Sequence, residues 1–225
     1  MHWLPKSIYK IIRGAIIFYL HTFLEFKVWG EKNIPSGPKI FCSNHFSSTD
    51  PFFVITLMEE PVHMVIGPGF NVPFIRHILK HGEQINALPE YRKEVIPNAI
   101  EYLKKGESIY IFPEGDLNDQ SSFLKFYTGM AKIYLEYPVP IIPIGILSPM
   151  RYVKEKEVNI KVGESLYKTL TVLSGKYYAN VGEPMLFPDY EKMEDKNHAG
   201  ELITDAVRVK VEQLIVDIKV SKFWG

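Results

Sequence analysis

Short apolar runs alternate with amphipathic segments along most of the chain. Apolar runs of this length predict buried strands, and apolar residues at every third or fourth position predict helices. The runs that predict strands are Lys39–Ser43, Val62–Ile66, Gln84–Ala87, Ser108–Phe112, Val139–Leu147, Val158–Val162 and Tyr177–Val181. The helices predicted between and after them are Pro51–Met58, Pro73–His81, Pro89–Lys105, Lys125–Tyr137 and Glu201–Lys219. Strands that alternate with helices predict an α/β sheet covered by helices.

The N-terminal segment, residues 1–29, has a different pattern. Its uncharged stretch, Gly14 to Leu24, is shorter than the roughly 20 residues that a membrane-spanning helix needs. On a helical wheel one face carries the apolar residues Ile8, Ile12, Ile16, Tyr19 and Phe23. The opposite face carries the basic residues Lys6, Lys10 and Arg13, and Trp3 and Trp29 flank the segment. This pattern predicts an amphipathic helix in the membrane interface. A helix packed on its own domain is the alternative.

A turn-rich stretch follows this segment and separates it from the remainder of the chain. Asn33, Pro35, Gly37 and Pro38 are all residues that favour turns. Beyond them there is no low-complexity segment and no clear linker. We therefore predict an N-terminal membrane-associating helix over residues 1–29 and one domain over residues 30–225.

Composition narrows the class of protein. The 225 residues are 46% hydrophobic and 23% charged, which is typical of a globular protein. Because 26 basic residues balance 26 acidic ones, there is no global basic field to bind nucleic acid. A single cysteine, Cys42, excludes an internal disulfide framework and fits a reducing compartment. With the N-terminal helix, this predicts a peripheral or monotopic protein on the cytoplasmic side of a membrane.

The most informative chemistry lies just after the first predicted strand of the domain. His45 follows this strand, and Asp50 stands five residues further on, before the next helix. Loops at strand ends are where sites form in open α/β sheets. A carboxylate at this spacing can bind one ring nitrogen of the histidine and leave the other free as a general base. The alternative is that Asp50 only caps the helix and His45 is an ordinary loop residue.

A second motif follows another predicted strand, where Phe112 precedes Pro113-Glu114-Gly115. Together, Asn44-His45, Asp50 and this motif resemble the glycerolipid acyltransferases typified by bacterial 1-acylglycerol-3-phosphate acyltransferase, the PlsC-like family. The resemblance covers roughly residues 28–187. It implies a mixed, largely parallel central sheet covered by helices on both faces.

The resemblance also implies an activity and a set of site residues. His45, oriented by Asp50, would deprotonate a lipid hydroxyl that then attacks the thioester of acyl-CoA or acyl-carrier protein. The implied substrate-binding residues are Asn44, Glu114, Gly115, Lys125, Gly129 and Pro143. The implied partners are a membrane surface, the lipid acceptor and the acyl donor, and no metal or organic cofactor is implied.

The chain departs from the family pattern where acceptor-binding arginines usually stand. Ala87 and Leu117 occupy these two positions, and Asp116 adds a negative charge beside the second. Since arginine and lysine bind phosphate by charge, these changes should weaken a phosphate site. The acceptor could be 1-acylglycerol-3-phosphate-like, or it could lack a phosphate, as in a glycolipid, a carotenoid glycoside or an aminolipid. A hydrolase that uses the same His–Asp pair and an inactive lipid-binding module are the rival functions.

Overall fold

The computed structural model describes residues 6–118, 120, 124–162 and 165–221. The strands are β1 (Leu24–Trp29), β2 (Ile40–Ser43), β3 (Val62–Ile66), β4 (Ile85–Asn86), β5 (Ser108–Ile111), β6 (Ile141–Leu147), β7 (Val153–Val162), β8 (Ser165–Val172) and β9 (Gly175–Val181). The helices are α1 (Lys6–Phe23), α2 (Asp50–Val54), α3 (Pro73–His81), α4 (Val95–Lys104), α5 (Gly129–Glu136), α6 (Pro188–Glu191) and α7 (Lys196–Val220).

Seven of these strands form one mixed sheet in the order β1-β9-β6-β2-β5-β3-β4. The five strands from β6 to β4 in this order are parallel to one another. β9 pairs antiparallel with β6 and parallel with β1, so the two strands at the β1 edge run in the opposite direction. The predicted mixed, largely parallel sheet is confirmed.

Helices cover both faces of the sheet because its strands are apolar on both sides. In β2, Ile40 and Cys42 pack toward the face covered by α4, α5 and α7, whereas Phe41 packs toward the face covered by α1 and α2. In β9, Tyr178 and Tyr177 divide between the same two faces. Strands buried on both faces read as continuous apolar runs, which is why β2, β5 and β6 were predictable.

Two strands have no counterpart in the sequence prediction, and β7 begins five residues before the predicted Val158–Val162. Leu24–Trp29 lies at the sheet edge as β1, so the helix occupies only Lys6–Phe23 of the segment 1–29. Its alternating apolar and charged residues pair with β9. Ser165–Val172 was not predicted, and it forms a separate antiparallel hairpin with β7.

The hairpin is anchored to the loop that follows β2. The Ser48 backbone N–H donates to the Leu170 carbonyl at 2.8 Å. The Thr49 hydroxyl donates to the Val172 carbonyl at 3.0 Å. These bonds hold the loop that carries His45 against the base of the hairpin.

The face of α1 that packs on the domain differs from the wheel prediction. Tyr9 and Leu20 are buried. Arg13, predicted on the basic face opposite the apolar one, donates from Nη2 to the Thr56 carbonyl at 2.7 Å. The helical wheel does not show this acceptor, because it belongs to another part of the chain. The hydrogen bond to the carbonyl favours contact between the guanidinium and the domain.

The opposite face of α1 is apolar and exposed. Ile11 and Phe18 are 70% and 72% exposed. Trp3 lies outside the described residues, as do the side chains of Lys6 and Ile8. Within the described ranges, no helix is both long and apolar enough to cross a membrane.

Candidate active site

The loop after β2 brings His45 and Asp50 together at the carboxyl edge of the parallel strands. His45 Nδ1 lies 2.9 Å from Asp50 Oδ2. Because a carboxylate accepts, Nδ1 donates and the lone pair of a neutral ring is left on Nε2. In the described part of the chain, no hydrogen-bond partner reaches Nε2. The His45 side chain keeps 17% of its surface exposed, so the ring is only partly buried.

Asp50 is completely buried and its carboxylate organises the loop. Besides the His45 ring, Oδ2 accepts the backbone N–H groups of Phe46 at 3.0 Å and Ser47 at 2.9 Å. Asp50 is the first residue of α2, Thr49 is the N-cap, and the Asp50 side chain points back along the loop. The predicted N-cap position of Asp50 is therefore corrected: Thr49 occupies it, and the Asp50 side chain binds N–H groups upstream of the helix.

Phe112 fixes the ring plane of His45. The two rings stack with centroids 4.0 Å apart and planes 21° apart. Phe112 follows β5 directly, so the pairing of β2 with β5 places the two rings together. This contact leaves the imidazole little freedom to rotate away from Asp50.

Glu114 lies beneath the same loop and is only 2% exposed. Its Oε2 accepts the His45 backbone N–H at 3.1 Å. Asn118 Nδ2 donates to both Glu114 oxygens, at 2.7 and 2.6 Å. The Asn118 backbone N–H donates in turn to the His45 carbonyl at 2.8 Å. Glu114 and Asn118 together clamp the backbone of His45 from both sides.

The environment of Glu114 changes its acidity. Burial raises the pKa of Glu114 to about 7, although the donors from His45 and Asn118 oppose this rise. The Asp50 charge adds to the rise. The carboxyl group of Glu114 therefore titrates near neutral pH while it holds the His45 loop.

A family model described as "Acyltransferase" matches residues 25–147, more than half of the chain, and this segment contains His45, Asp50 and Glu114. The chain belongs to this acyltransferase family. Members of the family use acyl-CoA or acyl-carrier protein as co-substrate and no further cofactor.

Three similar proteins are each named 1-acyl-sn-glycerol-3-phosphate acyltransferase. A 1-acyl-sn-glycerol-3-phosphate acyltransferase from Bacillus subtilis is 27% identical over 217 residues, covering 92% of this chain and 96% of that protein. The Pseudomonas aeruginosa enzyme of the same name is 28% identical over 54% of this chain and 49% of its own length. A chloroplastic enzyme from Brassica napus is 24% identical over 57% of this chain and 39% of its own length. The chain thus aligns with less than half the length of the latter two.

The fold matches a solved acyltransferase structure. PlsC from Thermotoga maritima superposes with a TM-score of 0.63 at 20% sequence identity. The match covers 93% of this chain and 79% of that one. This likeness establishes the shared PlsC-like fold, including the sheet that carries the His45 loop.

Besides Glu114, two more of the predicted substrate-binding residues, Asn44 and Pro143, lie inside the protein. Asn44 is buried, and its amide donates to the Ile146 carbonyl at 2.9 Å and accepts from the Ile146 N–H at 2.8 Å. Pro143 lies within β6, opposite Cys42 of β2. Both residues join β2 to β6 beneath the site, and the Asn44 amide has the geometry of a backbone clamp.

The other predicted residues lie nearer the surface. Gly115 adopts a φ of +69°, and an added Cβ would lie 3.1 Å from the Tyr127 ring, so a side chain is disfavoured there. Lys125 is exposed, and in the described part of the chain it forms no hydrogen bond or ion pair with the His45 loop. Gly129 is the first residue of α5.

Sequence reasoning did not identify three residues that contact this network. Phe112 lies within the motif Phe112–Gly115, and Asn118 lies just after it. The amide of Asn118, four residues after Glu114, was a usable signal. Tyr177, whose hydroxyl donates to Asp50 Oδ1 at 2.9 Å, is 127 residues away along the chain. No local pattern marks such a contact, because it depends on the pairing of β9 within the sheet.

Proposed function

We propose that the protein transfers a fatty acyl group from acyl-CoA or acyl-carrier protein to a hydroxyl group of a 1-acylglycerol-3-phosphate-like lipid. The observation that carries the proposal is the 2.9 Å contact between His45 and Asp50, which leaves Nε2 available at the sheet edge. Membership of the acyltransferase family and the similarity to 1-acyl-sn-glycerol-3-phosphate acyltransferases support the same activity.

His45 is the proposed general base. Nε2 removes the proton of the acceptor hydroxyl as its oxygen attacks the thioester carbonyl carbon. The tetrahedral intermediate then collapses, the carbon–sulfur bond breaks, and the imidazolium returns its proton to the departing thiolate. The products are the new ester and the free thiol, so atoms and charge balance without an acyl-enzyme.

Asp50 and the clamp beneath it are proposed to keep His45 ready for this step. The Asp50 carboxylate fixes the tautomer and stabilises the imidazolium that forms. Glu114, Asn44 and Pro143 act through the backbone of the loop and its strands rather than through the substrate. Gly115, Lys125 and Gly129 lie on the more accessible side, where Gly115 leaves room for an acceptor and Lys125 supplies a positive charge.

Acceptors without a phosphate form a second candidate class. Ala87 and Leu117 carry no charge, and Asp116 is exposed beside Gly115. An anionic side chain at this edge repels a phosphate, whereas an uncharged hydroxylated lipid is unaffected. This observation favours testing a neutral acceptor next to lysophosphatidic acid.

We also propose that the outer face of α1 rests on the cytoplasmic side of a membrane. Ile11, Ile12 and Phe18 are exposed on this helix, and Lys10 is exposed near its start. An apolar helix face with a basic residue at its flank suits the boundary between headgroups and acyl chains. Both the acceptor and the product are lipids, so this location supplies the substrate.

Product analysis tests the proposed activity and separates the acceptor classes. Purified protein receives labelled acyl-CoA or acyl-carrier protein in vesicles that contain lysophosphatidic acid or a total lipid extract of the source organism. His45→Ala protein controls for contaminating enzymes. Labelled phosphatidic acid supports the first acceptor class, and a labelled product from the extract alone supports the second and gives its mass. Free fatty acid without acceptor supports the hydrolase, and the absence of any product that depends on His45 contradicts the proposal.

A further inference from the structure

Asp50 has a partner from a distant part of the chain. Tyr177 lies on β9, and its hydroxyl donates to Asp50 Oδ1 at 2.9 Å. The residue lies beyond the segment 25–147 that the family model matches. Oδ2 is already occupied by the His45 ring and two backbone N–H groups. Over the described ranges, no other donor reaches Oδ1.

We propose that Tyr177 is a positioning residue for the general base: its hydroxyl holds the Asp50 carboxylate in the orientation that fixes His45. The chain of contacts runs from the Tyr177 hydroxyl through Oδ1 and Oδ2 of Asp50 to Nδ1 of His45. Tyr177 does not touch the reacting atoms and acts only through Asp50. The inference rests on the function proposed above.

The Tyr177 ring is itself immobilised. It is completely buried, and three phenylalanine rings surround it, with centroids 6.0 Å away for Phe26, 5.6 Å for Phe46 and 4.7 Å for Phe53. These rings come from β1, the His45 loop and α2. Burial raises the pKa of Tyr177 well above its usual range, so the hydroxyl keeps its proton and remains a donor.

Removing this hydroxyl would leave a buried carboxylate oxygen without a donor. Asp50 has no exposed surface, so bulk water does not replace the lost bond. Hydrogen bonds to charged groups are among the stronger ones in proteins, and an unpaired buried acceptor is costly. Only the contacts at Oδ2 would then orient the carboxylate, so the imidazole would be oriented less precisely.

The titratable groups that face the pair determine how the pH profile responds. The Tyr177 hydroxyl contacts Asp50 directly, the Tyr110 hydroxyl donates to Ser43 and senses the Asp50 charge only weakly, and Glu114 contacts the backbone of His45. Without the Tyr177 hydroxyl, no donor at Oδ1 offsets the negative charge of Asp50. The carboxylate then stabilises the imidazolium form of His45 more strongly. The midpoint of the acid limb of the rate profile should therefore move to higher pH.

The test compares two buried Tyr→Phe variants in the acyl-transfer assay. Tyr177→Phe should lower kcat about tenfold with KM unchanged, and should displace the acid limb upward. Tyr110→Phe is the matched control, because its equally buried hydroxyl donates to Ser43 Oγ at 2.8 Å and not to Asp50. This control should keep both kcat and the pH profile. Equal behaviour of the two variants would overturn the proposal.

A double-mutant cycle separates positioning from a merely structural role. In Asp50→Asn protein, Tyr177→Phe should cost less than about twofold in kcat, because its effect passes through the carboxylate. The full tenfold loss in that background would overturn the proposal. Should Tyr177→Phe not fold, 3-fluorotyrosine at position 177 keeps the shape and makes the phenol a stronger donor. The acid limb should then move to lower pH, and no displacement would overturn the proposal.

The outcomes distinguish this inference from the proposed function. A wild-type protein without acyl-transfer activity contradicts both. An active wild type that loses activity in His45→Ala, with Tyr177→Phe no different from Tyr110→Phe, contradicts this inference alone.

Discussion

At the scale of single residues, the site is a set of hydrogen bonds aimed at one imidazole. Asp50 holds the ring, Phe112 stacks on it, and Glu114 with Asn118 binds its backbone. The pairing of His45 with Asp50 was predictable because both residues lie in one short loop after a recognisable strand. Asn118 was predictable from its position four residues after Glu114, whereas the contribution of the strand β9 depends on folding, so spacing along the chain did not predict it.

Glu114 gives the fold a measurable pH dependence. Its pKa rises from an ordinary 4.5 to about 7 in the folded protein. Between these values the native state binds more protons than the unfolded state, so the free energy of unfolding falls as pH rises through this window. Urea denaturation should show a loss of roughly 3 kcal/mol from this group between pH 4.5 and 7.5.

Glu114→Gln isolates that contribution, because glutamine keeps the shape and does not titrate. We expect its unfolding free energy to fall less than that of the wild type over the same pH range. The measured quantity is the difference between the two slopes, since all other groups titrate in both proteins. Equal slopes would show that the pKa of Glu114 is the same in the folded and the unfolded protein, which would contradict the account.

At the scale of elements, the sequence predicted buried strands better than edge elements. β2, β5 and β6 are buried on both faces and appear as apolar runs. β1 has charged residues on alternate positions and follows the helix without a break, so its strand character depends on pairing with β9. β8 is rich in polar residues and pairs only with β7.

Helix α7 packs closely against β6 at Gly145, where the absence of a side chain leaves room for the helix backbone. An added Cβ at Gly145 would lie 2.9 Å from both the Ile215 backbone nitrogen and the Leu214 Cβ. Gly145→Ala should therefore push α7 outward and lower the free energy of unfolding by about 1–3 kcal/mol.

Chemical denaturation measures this loss, and Gly14→Ala provides the control. Gly14 lies on an exposed part of α1 with no atom within 4 Å of an added Cβ. Alanine favours a helix over glycine, so the control should keep or slightly raise stability. A Gly145→Ala protein as stable as the wild type would contradict the close packing of α7.

At the scale of the whole molecule, the proposed function depends on two surfaces, the exposed apolar face of α1 and the loop that carries His45. The sequence predicted an amphipathic helix with Arg13 on the face opposite the apolar one. In the structure Arg13 donates a hydrogen bond to the Thr56 carbonyl of the domain. The order of the strands was not predictable, because it depends on which distant segments pair. This order brings Tyr177 to Asp50.

Phe18→Glu tests the proposed membrane contact. Phe18 is 72% exposed on the outer face of α1, so the change should leave the fold intact. Loss of one buried aromatic side chain from the lipid boundary should weaken vesicle binding about tenfold or more in a co-sedimentation assay. Val209→Glu, at an exposed position of α7, is the matched control and should bind as the wild type does. Unchanged binding of Phe18→Glu would place the membrane contact elsewhere.

The rate of acyl transfer with and without His45 is the most direct test of the central claim. Labelled acyl-CoA and lysophosphatidic acid in vesicles are given to wild-type, His45→Ala and His81→Ala proteins, where His81 is an exposed histidine of α3. Loss of a general base should lower the rate about 10²–10⁴-fold in His45→Ala, while His81→Ala retains the wild-type rate. An active wild type and a His45→Ala protein within a few-fold of it would contradict the assignment of His45 as the base.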